Sequence, residues 1–243
     1  MEWVGRYIVD QFAGAPLTVV NLGDHYDMPS LSQYDKGLKA MEGRRYVADI
    51  AAGDEGFELL DEPTRVYNKG RRTKWRPRKV YLHGNHENRI TRAIEANAQL
   101  DGLLSLESLI PGSLGWEVYP FLEPVWIDGV CYAHYFYLPN SGRPYSGASI
   151  DARLKSIGHS FTQGHQQGLL YGVRSTIAGT QHGLVCGSSY IEPEDYRGPQ
   201  AAGEWRGVIV KHQVEGGSYD PMMVSLDFLC RKYEGKRLAE FAA

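Results

Sequence analysis

The chain has little cysteine, no long apolar run and no excess of charge of one sign, and each shortage removes a class of protein. Cys131, Cys186 and Cys230 are the only three cysteines in 243 residues. An odd number, widely spaced in apolar surroundings, does not make a disulfide framework and predicts buried thiols in a reducing compartment. No run approaches the roughly 20 apolar residues of a membrane span, and Met1-Glu2-Trp3-Val4-Gly5-Arg6 has neither the basic start nor the apolar core of a signal peptide. A soluble, cytoplasmic protein without a membrane partner is expected. The net charge of −3 gives no global field toward nucleic acid, so any such attraction must be local. There is no internal repeat and no low-complexity segment. No Gly-x-Ser-x-Gly elbow is present and no cysteine sits in a nucleophile context, which argues against a serine or cysteine hydrolase.

What is present is an α/β pattern. With 42% hydrophobic and 23% charged residues, the length suits one sizeable domain over 1–243, with 234–243 as a poorly held tail. Trp3, Tyr7, Ile8 and Phe12 recur at helical spacing, so residues 2 to 12 predict an amphipathic helix ending near Gly14-Ala15-Pro16. Pro29-Ser30 offers a second helix start, and the Ala-, Lys-, Arg- and Glu-rich segment from Leu31 to about Leu60 predicts helix, interrupted around Gly53. Residues 88 to 100 are helix-like. Trp116 to Tyr137 predicts two strands joined at a tight Asp128-Gly129 turn, the second ending at His134. Later apolar runs at Gly183–Cys186, Gly207–Val210 and Met223–Leu226 predict more strands, so the second half is richer in β.

Two apolar runs end in the same way. Val19-Val20-Asn21-Leu22 leads into Gly23-Asp24-His25-Tyr26-Asp27, and Lys79-Val80-Tyr81-Leu82 leads into His83-Gly84-Asn85-His86-Glu87. Each places an oxygen ligand just past a glycine at a strand end. This pair resembles the second and third motifs of the calcineurin-like metallophosphoesterases, Gly-Asp-x-x-Asp and Gly-Asn-His-(Asp/Glu). The likeness is greatest to phage-encoded members. It extends through Glu2-Trp3-Val4-Gly5-Arg6-Tyr7-Ile8, Met28-Pro29-Ser30-Leu31-Ser32, Glu42-Gly43-Arg44-Arg45-Tyr46, Ile90-Thr91-Arg92 and Trp116-Glu117-Val118-Tyr119-Pro120, and so over most of the chain.

The resemblance implies a four-layer α-β-β-α sandwich with two mixed β-sheets, and a phosphoesterase that hydrolyses phosphodiester or phosphomonoester bonds with metal-activated water. It implies that Asp24, Asn85, His134 and His165 are metal ligands around a common cation, His86 the general acid and Asp27 its orienter. Arg89 and Arg92 would meet the substrate phosphate. The cofactor implied is a divalent metal, Mn first, with Zn, Fe, Ni or Mg as alternatives, and a phage origin would place the protein in the host cytoplasm. His25, His83, His159, His182 and His212 match no ligand position and read as structural or exposed.

Two features depart from the family. Its opening Asp-x-His motif is absent, and the helix at 2 to 12 resembles the crossover that follows it, so the chain is expected to begin one strand late. The final Gly-His-x-His is here Gly164-His165-Gln166-Gln167, which leaves Gln167 as a weak metal ligand or a support for one. Both departures fall on the first metal position, leaving one well-formed site and one doubtful one. The alternative function is therefore a catalytically impaired protein of the same fold that binds a metal, a phosphate or nucleic acid.

A basic run, Lys69-Gly70-Arg71-Arg72-Thr73-Lys74-Trp75-Arg76-Pro77-Arg78-Lys79, reads as a loop. It offers two readings: phosphate contacts with Trp75 stacking on bases of a nucleic-acid partner, or a solvated loop that balances the acidic stretch Asp54 to Glu62. Oligomeric state has no signature in the sequence.

Overall fold

The computed structural model describes residues 1–138, 140–145, 147, 149–191 and 204–241. It divides into two compact units, Met1–Glu123 and Pro124–Ala243.

The first unit is built on a parallel sheet. Helix α1 (Glu2–Phe12) leads to strand β1 (Thr18–Asn21), helix α2 (Tyr46–Asn68), strand β2 (Arg78–Leu82), helix α3 (Arg89–Ala96) and strand β3 (Glu117–Tyr119). The strand order is β1-β2-β3 and both pairings are parallel, with Asn21 opposite Tyr81 and Leu82 opposite Tyr119. Parallel strands need a crossover, and α2 supplies it between β1 and β2. The expected α1 is present over the predicted span.

The second helix starts later than its composition suggests. Pro29–Leu31 and Lys39–Met41 are single 3-10 turns, and the α-helix begins only at Tyr46. Gly37 and Gly43 lie between these pieces at φ of 81° and 77°, a backbone that no helix continues through. The residues that form α2 are those with a face to bury: Gly53, Phe57, Leu60 and Asp61 recur at helical spacing and are all buried. Gly53 does not interrupt the helix. A Cβ there would stand 2.0 Å from the Tyr26 ring, so the missing side chain is what lets Tyr26 pack on α2.

The second unit holds a five-stranded mixed sheet in the order β4-β5-β6-β8-β7. Its strands are β4 (Val125–Ile127), β5 (Val130–Ala133), β6 (Phe161–Gln163), β7 (Leu169–Thr176) and β8 (Gly179–Cys186). The inner strands β5, β6 and β8 pair parallel, and the edges β4 and β7 antiparallel. The Asp128-Gly129 turn joins β4 and β5 with both residues at positive φ, 49° and 81°, as a two-residue hairpin requires. Strand β3, inside the span expected to hold two strands, belongs to the first unit's sheet. Helix α4 (Ile150–Ile157) precedes β6, and its Leu154 packs with Cys131 and Phe161 in the core. Strands β9 (Gly207–Glu215) and β10 (Ser218–Ser225) form an antiparallel ribbon, followed by α5 (Leu226–Glu234). In the expected tail a short helix α6 (Leu238–Phe241) follows, and the Leu238 amide donates to Asp227 Oδ1 at 2.9 Å.

All three cysteines are free thiols; Cys131 and Cys230 are buried and Cys186 half-buried. Among the described residues no helix is long and apolar enough to cross a membrane.

Two stability predictions follow from this packing. Gly53→Ala forces its new methyl into the Tyr26 ring and should cost about 1–3 kcal/mol in urea unfolding, whereas Gly112→Ala, with nothing within 4 Å, should be near neutral. On the ribbon, Lys211 Nζ lies over the Tyr132 and Tyr219 rings at 4.3 and 4.4 Å and donates to Tyr132 Oη at 3.0 Å and to Thr162 Oγ1. Burial pulls its pKa down from 10.5 to about 7. Between pH 7 and 10.5 the unfolded chain therefore binds a proton that the folded chain does not, and stability falls as pH drops across that window. Lys211→Met should flatten this slope and raise the denaturation midpoint at neutral pH.

Candidate metal centre

The parallel register of β1 and β2 sets the carboxyl ends of the two strands side by side, the position at which open parallel sheets hold ligands. The loops that follow approach so closely that a Cβ on Gly23 would stand 2.5 Å from the Gly84 nitrogen; Gly23 also has a φ of 90°. Only glycine fits there. Asp24, the next residue, itself takes a left-handed φ of 54°.

What holds the two loops is Glu87, a residue whose role the sequence motif does not disclose. Its carboxylate is fully buried and accepts four hydrogen bonds. Oε2 receives the amides of Asp24 at 3.0 Å and Gly84 at 2.7 Å, and Oε1 receives the Tyr26 amide at 2.8 Å and the Tyr81 hydroxyl at 2.7 Å. Burial, with the Asp24 charge adding to it, pushes the Glu87 pKa up, against the pull of these donors. Asp24 Oδ1 accepts the His86 amide at 2.9 Å, a second tie between the same loops.

The side chains named by the sequence fall at this edge as follows. His86 Nδ1 lies 2.6 Å from Asp27 Oδ1, and its Nε2 is 3.9 Å from Asp24 Oδ2. Burial alone lowers the His86 pKa; the Asp27 hydrogen bond and the Asp24 charge outweigh it and leave it raised. Asp27 is the reciprocal case: burial raises it, while the His86 bond and the His86 and Arg89 charges bring it below its usual value. Asn85 stands between His86 and Gly84 on the same turn, half-buried. Arg89 Nη1 donates to the carbonyls of Asp27 at 2.8 Å and Met28 at 3.1 Å, so it braces the Asp27 loop from α3. Arg92 reaches Gln33 Oε1 at 3.5 Å.

In the second unit, His134 follows β5 and His165 follows β6, two parallel neighbours, so these residues too sit at adjacent strand ends. Each imidazole offers a ring nitrogen, and the two nitrogens lie within 4.8 Å of one another. His134 is buried, and His165 is exposed at a left-handed φ of 62°. The turn is held from behind: the Gly164 amide donates to the His134 carbonyl at 3.1 Å, and buried Arg153 donates to Gln166 Oε1 at 2.6 Å. Gln167 Oε1 accepts from the Tyr190 hydroxyl at 2.5 Å.

Four of the five remaining histidines have packing roles. His25 stacks on Phe57 at 3.9 Å, and its Nε2 donates to the Gly53 carbonyl at 3.0 Å; burial lowers its pKa to about 4. His83 is buried against Tyr81 and is lowered to about 4 by the same cause. His182 pairs with the Tyr171 hydroxyl at 2.8 Å, and His159 sits edge-on to Trp126. His212 is exposed.

The basic run lies at the other end of the first sheet. Arg78 opposes Thr18 at the amino ends of β2 and β1, about 13 Å from the ligand edge at about 3.3 Å per residue. Trp75 is buried, with Nε1 donating to the Ala15 carbonyl at 2.7 Å, which removes it as a stacking platform.

No protein-family model and no curated protein matches the chain. Among solved structures, a single mutant of Vps29 from Entamoeba histolytica is similar at a TM-score of 0.28 and 11% identity, over 67% of this chain and 87% of that one.

Glu87→Gln replaces one acceptor oxygen with a donor that faces buried N–H or O–H groups. It should cost about 2–4 kcal/mol by denaturant titration, and a loss under about 0.5 kcal/mol would show the clamp to be unimportant.

Proposed function

We propose that the chain is a metal-dependent phosphoesterase. The observation that carries this reading is the 2.6 Å contact of His86 with Asp27, on a turn that also presents Asn85 and faces Asp24 at the ends of two parallel strands. The donor set fits a divalent cation. Asp24 contributes charge and a hard oxygen, Asn85 a neutral oxygen, and His134 and His165 imidazole nitrogens, the mixture suited to Mn, Zn or Fe. These four residues would hold it. When bound, such an ion polarises a phosphoryl oxygen and activates water at neutral pH.

The chain's own residues divide the remaining work. Asp27 holds the imidazole of His86 through Nδ1 and favours its protonated form, so Nε2 carries a proton toward the leaving oxygen. Arg89 keeps Asp27 in place through the loop carbonyls, which makes it a positioning residue in this scheme. Manganese is the first choice of metal, and a phosphodiester the first choice of substrate.

Hydrolysis of a dinucleoside monophosphate, whose alkoxide leaving oxygen needs a proton, with added Mn²⁺ tests the reading. His86→Ala should lower kcat by about 10²–10⁴. Asn85→Ala should lower the bound metal measured by elemental analysis without unfolding the chain. Turnover unaffected by His86→Ala would remove the proposed acid. A wild-type protein that binds metal but turns over no ester would leave the binding-module reading in its place.

A further inference from the structure

Eight of the chain's 26 lysines and arginines fall between Arg65 and Lys79, a span with no acidic residue, in a protein whose net charge is −3. The fold gives several of them internal partners. Arg78 forms a two-pronged ion pair with Glu117, and Lys79 Nζ meets Asp61 Oδ2 at 2.7 Å. Arg71 and Lys74 donate to the carbonyls of Tyr67 and Asn68 at 2.8 and 2.6 Å, satisfying the carboxyl end of α2. Lys69, Arg72 and Arg76 are exposed and take part in none of these contacts. Lys69 and Arg76 line a cleft of about 550 Å³ together with Arg65, Lys74, Asn68 and Glu62. Glu62, the only acid among its described lining residues, is paired with Arg65 at 2.6 Å. Among the described residues Lys69, Lys74 and Arg76 have no acidic partner in this shallow, open cleft, and that arrangement attracts a polyanion rather than a single carboxylate.

We infer that this cleft binds the phosphate backbone of nucleic acid, which makes the substrate of the proposed phosphoesterase site a polynucleotide. The inference rests on that functional reading for the word substrate only; the binding stands on the cleft itself. Arg76, on the cleft wall, comes two residues before β2, whose other end at the ligand edge is about 13 Å along the strand, so at about 3.4 Å per phosphate a chain spanning both needs about four nucleotides. Binding is independent of base sequence. Trp75 is buried, and no aromatic residue is among the described residues that line the cleft.

The test is fluorescence anisotropy of a labelled duplex DNA with the full chain in EDTA, which separates binding from metal and turnover. Wild type should bind with strong salt dependence, and Lys69→Glu/Arg76→Glu should bind at least about tenfold more weakly. The slope of log K against log salt should fall by about 2, at about 0.9 for each lost phosphate contact. Because EDTA already removes any metal, a failed metal site leaves this result intact. Circular dichroism of the double variant confirms that it is folded. Equal binding by wild type and the folded double variant would overturn the inference. So would a mononucleotide that competes as well as the duplex, or binding to phosphatidylserine vesicles with none to DNA.

Discussion

The buried carboxylate of Glu87 is the constraint on which the first unit's site depends. Taking a carboxylate out of water costs several kcal/mol, and only a full set of donors offsets that. Three backbone amides and a tyrosine hydroxyl supply them, from both loops and from β2. The benefit is mutual, because these amides would otherwise be buried without acceptors. The loops after β1 and β2 thus have one arrangement in which their polar backbone is satisfied. The glycine contact between Gly23 and Gly84 allows them to come close enough to adopt it.

This clamp places negative charge where more is already present. Asp24 and Asp27 share the edge, and the Asp24 charge adds to the upward pressure on the Glu87 pKa. Arg89 answers it through the loop carbonyls, and His86 through its contact with Asp27. A divalent ion on Asp24 would relieve the same repulsion. The acidity that makes the edge unfavourable in isolation thus also makes it receptive to a cation.

The basic run shows how folding sorts charges that composition counts alike. Arg78 and Lys79 become partners of Glu117 and Asp61, and Arg71 and Lys74 become caps of α2. Trp75, the one residue of the run that suggests base stacking, instead ties the run to Ala15 and to Asn68. The run's position at the amino ends of the strands, opposite the ligand edge, comes from parallel pairing alone. A loop entering a strand and a loop leaving it must lie at opposite ends.

Local elements with one strong cause can be read from the residues alone. Helix α1 is legible because its apolar residues recur at helical spacing, and the β4-β5 hairpin because Asp128-Gly129 tolerates positive φ. The strand ends before Asp24, Asn85 and His134 are legible because apolar runs stop there. Tertiary structure alone decided where α2 begins, since helix-forming composition extends over Leu31 to Tyr46 but a buried face does not. It alone assigned Glu87 to the clamp, Arg89 to the Asp27 loop and Trp75 to the interior. Each of these depends on a partner distant in sequence, and local spacing carries no information about a contact that exists only once the chain has closed on itself.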